Sequence, residues 1–117
     1  MANEPVVDNL LQELRRGVIV LAVLGQLGEE QYGYSILKVL ADQGLDVDQG
    51  TLYPLLRRLE TQGLLESKWK LEEARPRRYY VISAEGRRVL PTLKQEWNRM
   101  TGIMSVLLNQ EVRDESH

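Results

Sequence analysis

"GTLYPLLRRLE", Gly50 to Glu60, is the stretch on which the fold turns. Leu52, Leu55, Leu56 and Leu59 recur at i, i+3, i+4 and i+7, the spacing of one face of an α-helix. The rest of its surface carries Gly50, Thr51, Tyr53, Pro54 and the adjacent Arg57 and Arg58. Asp48, just upstream, is a candidate N-cap, because its carboxylate can accept from the free N–H groups of a first turn. Gly63 stops the helix, which therefore runs from Asp48 to about Gln62. Pro54 lacks an N–H group and is tolerable in the first turns but costly in the middle. A helix that docks through its leucines and presents small residues, a tyrosine and two arginines outward needs something for that outer face to meet.

Upstream, "YGYSILKVLADQG" reads as a second helix from Gly33 to Gln43, with Ile36, Leu37 and Leu40 as its stripe and Gly44 as C-cap candidate. The short link "LDVDQG" then joins the two as a helix-turn-helix. Asp8 to Leu27 reads as the first helix, striped by Leu10, Leu11, Leu14, Val18, Leu21 and Leu24. Its Val18–Leu24 half is apolar on almost every face, so it should be buried on more than one side.

Downstream, "LLESKWK" reads as a strand, "LEEARP" as a turn and "RRYYVIS" as a second strand. Such a hairpin is marginal alone and must lean on the helices. Ser83 can cap a last helix, in which Val89, Leu93, Trp97, Met100, Met104 and Leu107 form an apolar stripe. Pro91 is expected to kink or delay that helix. The tail "EVRDESH" is expected to be disordered. Because the last stripe follows a unit already closed, a second copy of the chain is the economical cover for it. The expected fold is mainly α with a small β-hairpin: a winged helix-turn-helix over 8–83 and a long C-terminal dimerisation helix over 84–112.

Charge distribution sharpens the reading. Net charge is −2, yet Arg57 to Arg88 holds nine basic residues against five acidic ones. One basic region on an acidic background suits a local polyanion contact. In a winged helix the third helix enters the major groove and the hairpin reaches the backbone or minor groove beside it. Small Gly50 and Thr51 permit close approach, Tyr53 offers a hydroxyl and a flat ring, and Arg57 and Arg58 supply phosphate charge or a fork for guanine. Lys68, Lys70, Arg75, Arg77 and Arg78 on the hairpin are placed for phosphates.

Enzymatic chemistry finds no foothold. There is no cysteine, and the sole histidine is the terminal His117. No glycine-rich phosphate loop and no metal-spaced cluster appears, so neither cofactor nor metal is expected. Asp46 with Asp48 and Glu72 with Glu73 read as a cap and a solvated turn. The acidic, polar N-terminus has no signal-peptide character, and the longest apolar run, Val18 to Gly25, is too short for a bilayer. A cytoplasmic location without membrane contact is expected.

The residues also resemble a known family. "GTLYPLLRRLETQGLLESKW" (Gly50–Trp69) and "RPRRYYVISAEGRRVL" (Arg75–Leu90) look like the PadR family of winged-helix repressors, and "YGYSI" (Tyr32–Ile36) matches that family's second helix. The likeness spans about Leu11 to Leu90, and the single final helix fits the family's small subgroup. It implies a homodimeric transcription factor, usually a repressor, that binds a palindromic operator in double-stranded DNA. The surface implied comprises Tyr34, Ser35, Gln49, Gly50, Thr51, Tyr53, Pro54, Arg57 and Arg58 with the wing cations. The last helix would swap across to the partner's first helix. Two departures stand out: Gln31 and Tyr32 occupy places where members often carry histidine, and Ala74 stands in the wing tip where glycine is usual.

Trp97 has two readings. One is a dimer-core aromatic. The other, implied by the family's small members, is a platform for a planar aromatic or cationic effector at the dimer centre, walled by Leu14, Val18 and Met100. A rival to the whole reading is a winged helix used for protein–protein contact without DNA, which the overall acidity favours.

Overall fold

The computed structural model describes residues 4–115, with side chains through Gln110. Helix α1 (Pro5–Gln26) begins at Pro5 rather than Asp8, because proline at a helix start loses no hydrogen bond and presets φ. Strand β1 (Gln31–Tyr32) follows, then α2 (Gly33–Asp42) and α3 (Gln49–Thr61). Strands β2 (Leu65–Glu72) and β3 (Arg75–Ile82) precede the long α4 (Ala84–Glu115). The fold is mainly helical, with a small antiparallel sheet of order β1-β3-β2.

That sheet corrects the two-stranded expectation. Gln31 and Tyr32 pair with Tyr80 and Tyr79, giving β3 a neighbour on each side. Two residues carry too little periodicity to be read as a strand in advance. The turn is also tighter than "LEEARP": both strands run into it, leaving Glu73 and Ala74 as the turn, at φ of 52° and 62°. A two-residue hairpin turn with positive φ at both positions matches the right-handed twist of its strands.

Glycine ends both helices of the helix-turn-helix. Gly44, at φ 94°, donates to Ala41 O while Leu45 N donates to Leu40 O. Gly63, at φ 83°, repeats the pattern onto Glu60 O, with Leu64 N on Leu59 O. This 6→1 plus 5→2 closure needs a left-handed residue at its centre. Pro54 lies inside α3 without interrupting it, and the carbonyl it cannot serve belongs to exposed Gly50.

The core centres on Val23, Leu24, Ile36, Leu52, Leu56 and Leu65. Here α1 departs from its expected stripe. Its buried positions are Ile19, Val23 and Leu24, whereas Leu10, Leu11 and Leu14 are exposed, Leu14 to 73%. The first turns of the leucine stripe form a second apolar face, whereas Leu24, its last member, belongs to the core.

Ser83 joins three elements. Its Oγ donates to Gly63 O at 2.6 Å and accepts from Gly86 N at 3.0 Å, capping α4 where the strand ends. Gly86 fits there because a Cβ would collide with the Leu64 carbonyl. Pro91 does not delay α4, which starts at Ala84 and continues through Glu115, so the first five residues of the "EVRDESH" tail are helical. Ser116 and His117 lie outside the described residues. Beyond Leu90 the helix is exposed as far as Gln110, and it stretches the chain to 65 × 38 × 23 Å. Among the described residues no helix is long and apolar enough to cross a membrane.

Candidate nucleic-acid interface

The first turn of α3 is held by Asp48, whose Oδ1 accepts from Thr51 N at 3.0 Å. Hydrogen bonds from Thr51 hold the Asp48 carboxyl below its ordinary value. Gln49, Gly50, Thr51, Pro54, Arg57 and Arg58 are all exposed and line the outer side of the helix. A Cβ on Gly50 would meet nothing nearer than the Asp48 carboxylate at 4.0 Å, so glycine leaves open ground at the point of approach.

Tyr53 stands apart from this row. It is half-buried, and a Cβ on Gly33 would overlap its ring. The ring therefore covers the start of α2 and fixes the two helices against each other. At that start Tyr34 is 60% exposed. Ser35 is half-buried, its Oγ donating to Tyr32 O at 2.8 Å, so its hydroxyl is engaged within the helix start.

The wing divides its cations between two faces, because side chains alternate along a strand and paired residues share a face. Arg78, opposite Trp69, lies on the face that packs toward α3. It donates to Glu60 Oε1 at 2.9 Å and to Ser67 Oγ at 3.0 Å. Lys68, Lys70, Arg75 and Arg77 share the other face. There Lys68 and Lys70 both pair with Glu30, Lys68 at 3.0 Å. Hydrogen bonds from Lys70 first, then Lys68, lower the Glu30 pKa. Arg77 lies 4.5 Å over the Tyr32 ring and 3.8 Å from Glu72. The Tyr79 hydroxyl donates to the same Glu72 at 2.7 Å, which raises its pKa.

Of the seven basic residues expected at this surface, four thus face a carboxylate: Lys68, Lys70, Arg77 and Arg78. Arg57, Arg58 and Arg75 take no ion pair among the described residues. Sequence reasoning missed Glu30 and Glu60 as partners; Ser67 and Gly33 were equally invisible. No local signal could have found the two acids, since Glu30 precedes β1 and Glu60 lies on α3, and each meets its cation only once the sheet is in register.

The effector residues expected around Trp97 lie on open faces. Trp97 is 39% and Met100 43% exposed, Leu14 is more exposed still, and Val18 is half-buried. The concavities described lie elsewhere. A groove of about 820 Å³ runs between α1, α2 and the start of α3, past Arg15, Arg16, Tyr34 and Asp46. One of about 220 Å³ lies between Leu24 and Gly25 of α1 and Leu90 and Pro91 of α4.

This arrangement matches known proteins. The sequence profile described as "Transcriptional regulator PadR-like family" matches residues 20–92. The transcriptional regulator Rv3488 of Mycobacterium tuberculosis is 36% identical over 81 residues, covering 68% of this chain and 76% of that protein. Among solved structures, a PadR family transcriptional regulator from Eggerthella lenta superposes with a TM-score of 0.80 at 46% identity, over 88% of this chain and 92% of that one. A PadR-like transcriptional regulator from Bacillus cereus gives 0.70 at 30% identity, over 82% and 96%.

Proposed function

Given that the chain belongs to the PadR-like family of transcriptional regulators, a role that entails DNA binding, we propose that it is a homodimeric repressor of a palindromic operator. The carrying observation is the outer side of α3, where exposed small residues at a capped helix start are followed by two unpaired arginines. Gln49, Gly50 and Thr51 meet base edges, and Arg57, Arg58 and Arg75 meet phosphates or guanine. Tyr34 reaches the flanking backbone. Lys68, Lys70 and Arg77 reach phosphates only by giving up a carboxylate.

Two copies join through the leucine face of α1 and the apolar face of α4, which supports reading 8–83 as the DNA-binding head and 84–112 as the dimerisation arm. Leu10 and Leu14 on α1 and Met104 and Leu107 on α4 are large apolar side chains left exposed, and joining the two copies takes them out of water. Two third helices then enter successive major grooves about 34–36 Å apart. Selection of bound duplexes from a random pool tests the reading: a palindrome with that half-site spacing is expected, and no enrichment refutes it.

The dimer centre is also the place for a planar aromatic or cationic effector, with Trp97 stacking and Met100, Leu14 and Val18 as walls. Titrating planar dyes in a Trp69→Phe background should quench Trp97, and unchanged emission counts against the site.

A further inference from the structure

We propose that Arg78 and Glu60 set the angle between the reading helix and the wing, and that Arg78 acts on DNA through this link and not by touching a phosphate. The inference rests on the reading of α3 and the wing as the DNA-binding surface. Glu60 lies in the last turn of α3, one turn beyond Arg57. Both of its carboxylate oxygens are engaged. Oε1 accepts from Arg78 Nη2 at 2.9 Å, and Oε2 accepts from Ser67 Oγ at 2.6 Å. Arg78 Nε donates to the same Ser67 Oγ at 3.0 Å, closing a ring of three hydrogen bonds across α3, β2 and β3. The guanidinium carbon lies 5.8 Å from the Trp69 ring centre and 5.5 Å from that of Tyr80.

This ring does what leucine packing cannot. Apolar contact is non-directional and tolerates sliding. Charge-assisted hydrogen bonds to a planar fork fix distance and direction together. Among the described residues no other side-chain hydrogen bond joins α3 to the sheet. The helix that reads the major groove and the hairpin that reaches the next groove therefore share one directional coupling. An arginine held by a carboxylate, a hydroxyl and two rings is a positioning residue.

The sign of one substitution separates this from plain electrostatics. Glu60 is an acid one turn from Arg57, so removing its charge should strengthen attraction to DNA if charge alone matters. If Glu60 positions the wing, removing it weakens binding. The probe is a duplex that the parent chain itself selects from a random pool, followed by fluorescence anisotropy at several KCl concentrations, well below the melting temperature. Glu60→Gln and Arg78→Gln are each expected to weaken binding roughly three- to tenfold, with the double variant no weaker than the weaker single one. The salt slope should stay that of the parent. Tighter or unchanged binding by Glu60→Gln overturns the proposal, as does an Arg78→Gln slope shallower by about one for each head. Should both glutamine variants melt below the assay temperature, Ser67→Ala opens the ring without altering either charge. A smaller loss at unchanged slope then supports the coupling, and parental affinity overturns it. If the parent selects no duplex, the DNA-binding reading fails instead.

Discussion

The salt dependence of DNA binding follows from which cations are already paired. Each neutralised phosphate contributes about −0.9 to the slope of log K against log salt. Arg57, Arg58 and Arg75 have no carboxylate among the described residues, three per head and so six in the proposed dimer. The expected slope is therefore about −5, a loss of roughly 10³ in affinity between 50 and 200 mM salt. Were all seven basic residues per head engaged, the slope would be about −13. The restriction does not come from bond strength, since exposed ion pairs are individually weak. It comes from charge balance: a lysine that trades Glu30 for a phosphate leaves that carboxylate facing the DNA backbone. Glu30→Gln removes the penalty and frees Lys68 and Lys70 on each head. Its slope should steepen to as much as about −9, with tighter binding at low salt. Anisotropy titrations of parent and variant across 50–300 mM KCl measure both values. A parental slope near −13 refutes the reasoning, and so does a Glu30→Gln slope equal to the parent's.

Three further outcomes test the packing. Gly33→Ala drives a methyl into the Tyr53 ring and should cost about 1–3 kcal/mol, several degrees of melting temperature by circular dichroism; combined with Tyr53→Ser it should lose less than the two changes separately. Ala74→Gly should stabilise the chain by about 0.5–1 kcal/mol, because left-handed alanine costs about 1–2 kcal/mol and glycine returns part of that as unfolded-state entropy; a lower melting temperature would contradict the two-residue turn. Met104→Asp, on the open face of α4, should shift sedimentation equilibrium from dimer to monomer and weaken operator binding, whereas an intact dimer would remove that face from the interface.

How much of this was legible depended on range. The leucines of α3, the Asp48 cap and the glycine stops at Gly44 and Gly63 are local devices, each visible within a few residues. Local reading went wrong where one segment had two apolar faces. In α1 the leucine stripe was the stronger signal, yet of its members only Leu24 is buried, beside Ile19 and Val23, because periodicity on a helix with two apolar faces does not say which one its own core takes. β1 failed for a different reason: Gln31 and Tyr32 are extended because β3 has a free edge there, a fact held by residues almost fifty positions away.

The charges of the candidate site show the same limit most sharply. By composition Arg57, Lys70, Arg75 and Arg78 are equivalent, and a basic region read along the chain counts them equally. Folding sorts them. Glu30 reaches Lys70 across forty residues, and Glu60 reaches Arg78 only once β2 and β3 are in register. A basic stretch therefore locates a polyanion surface but does not say how many of its charges are free to meet one. That number is set by acids elsewhere in the chain, and it is the number a salt titration reads.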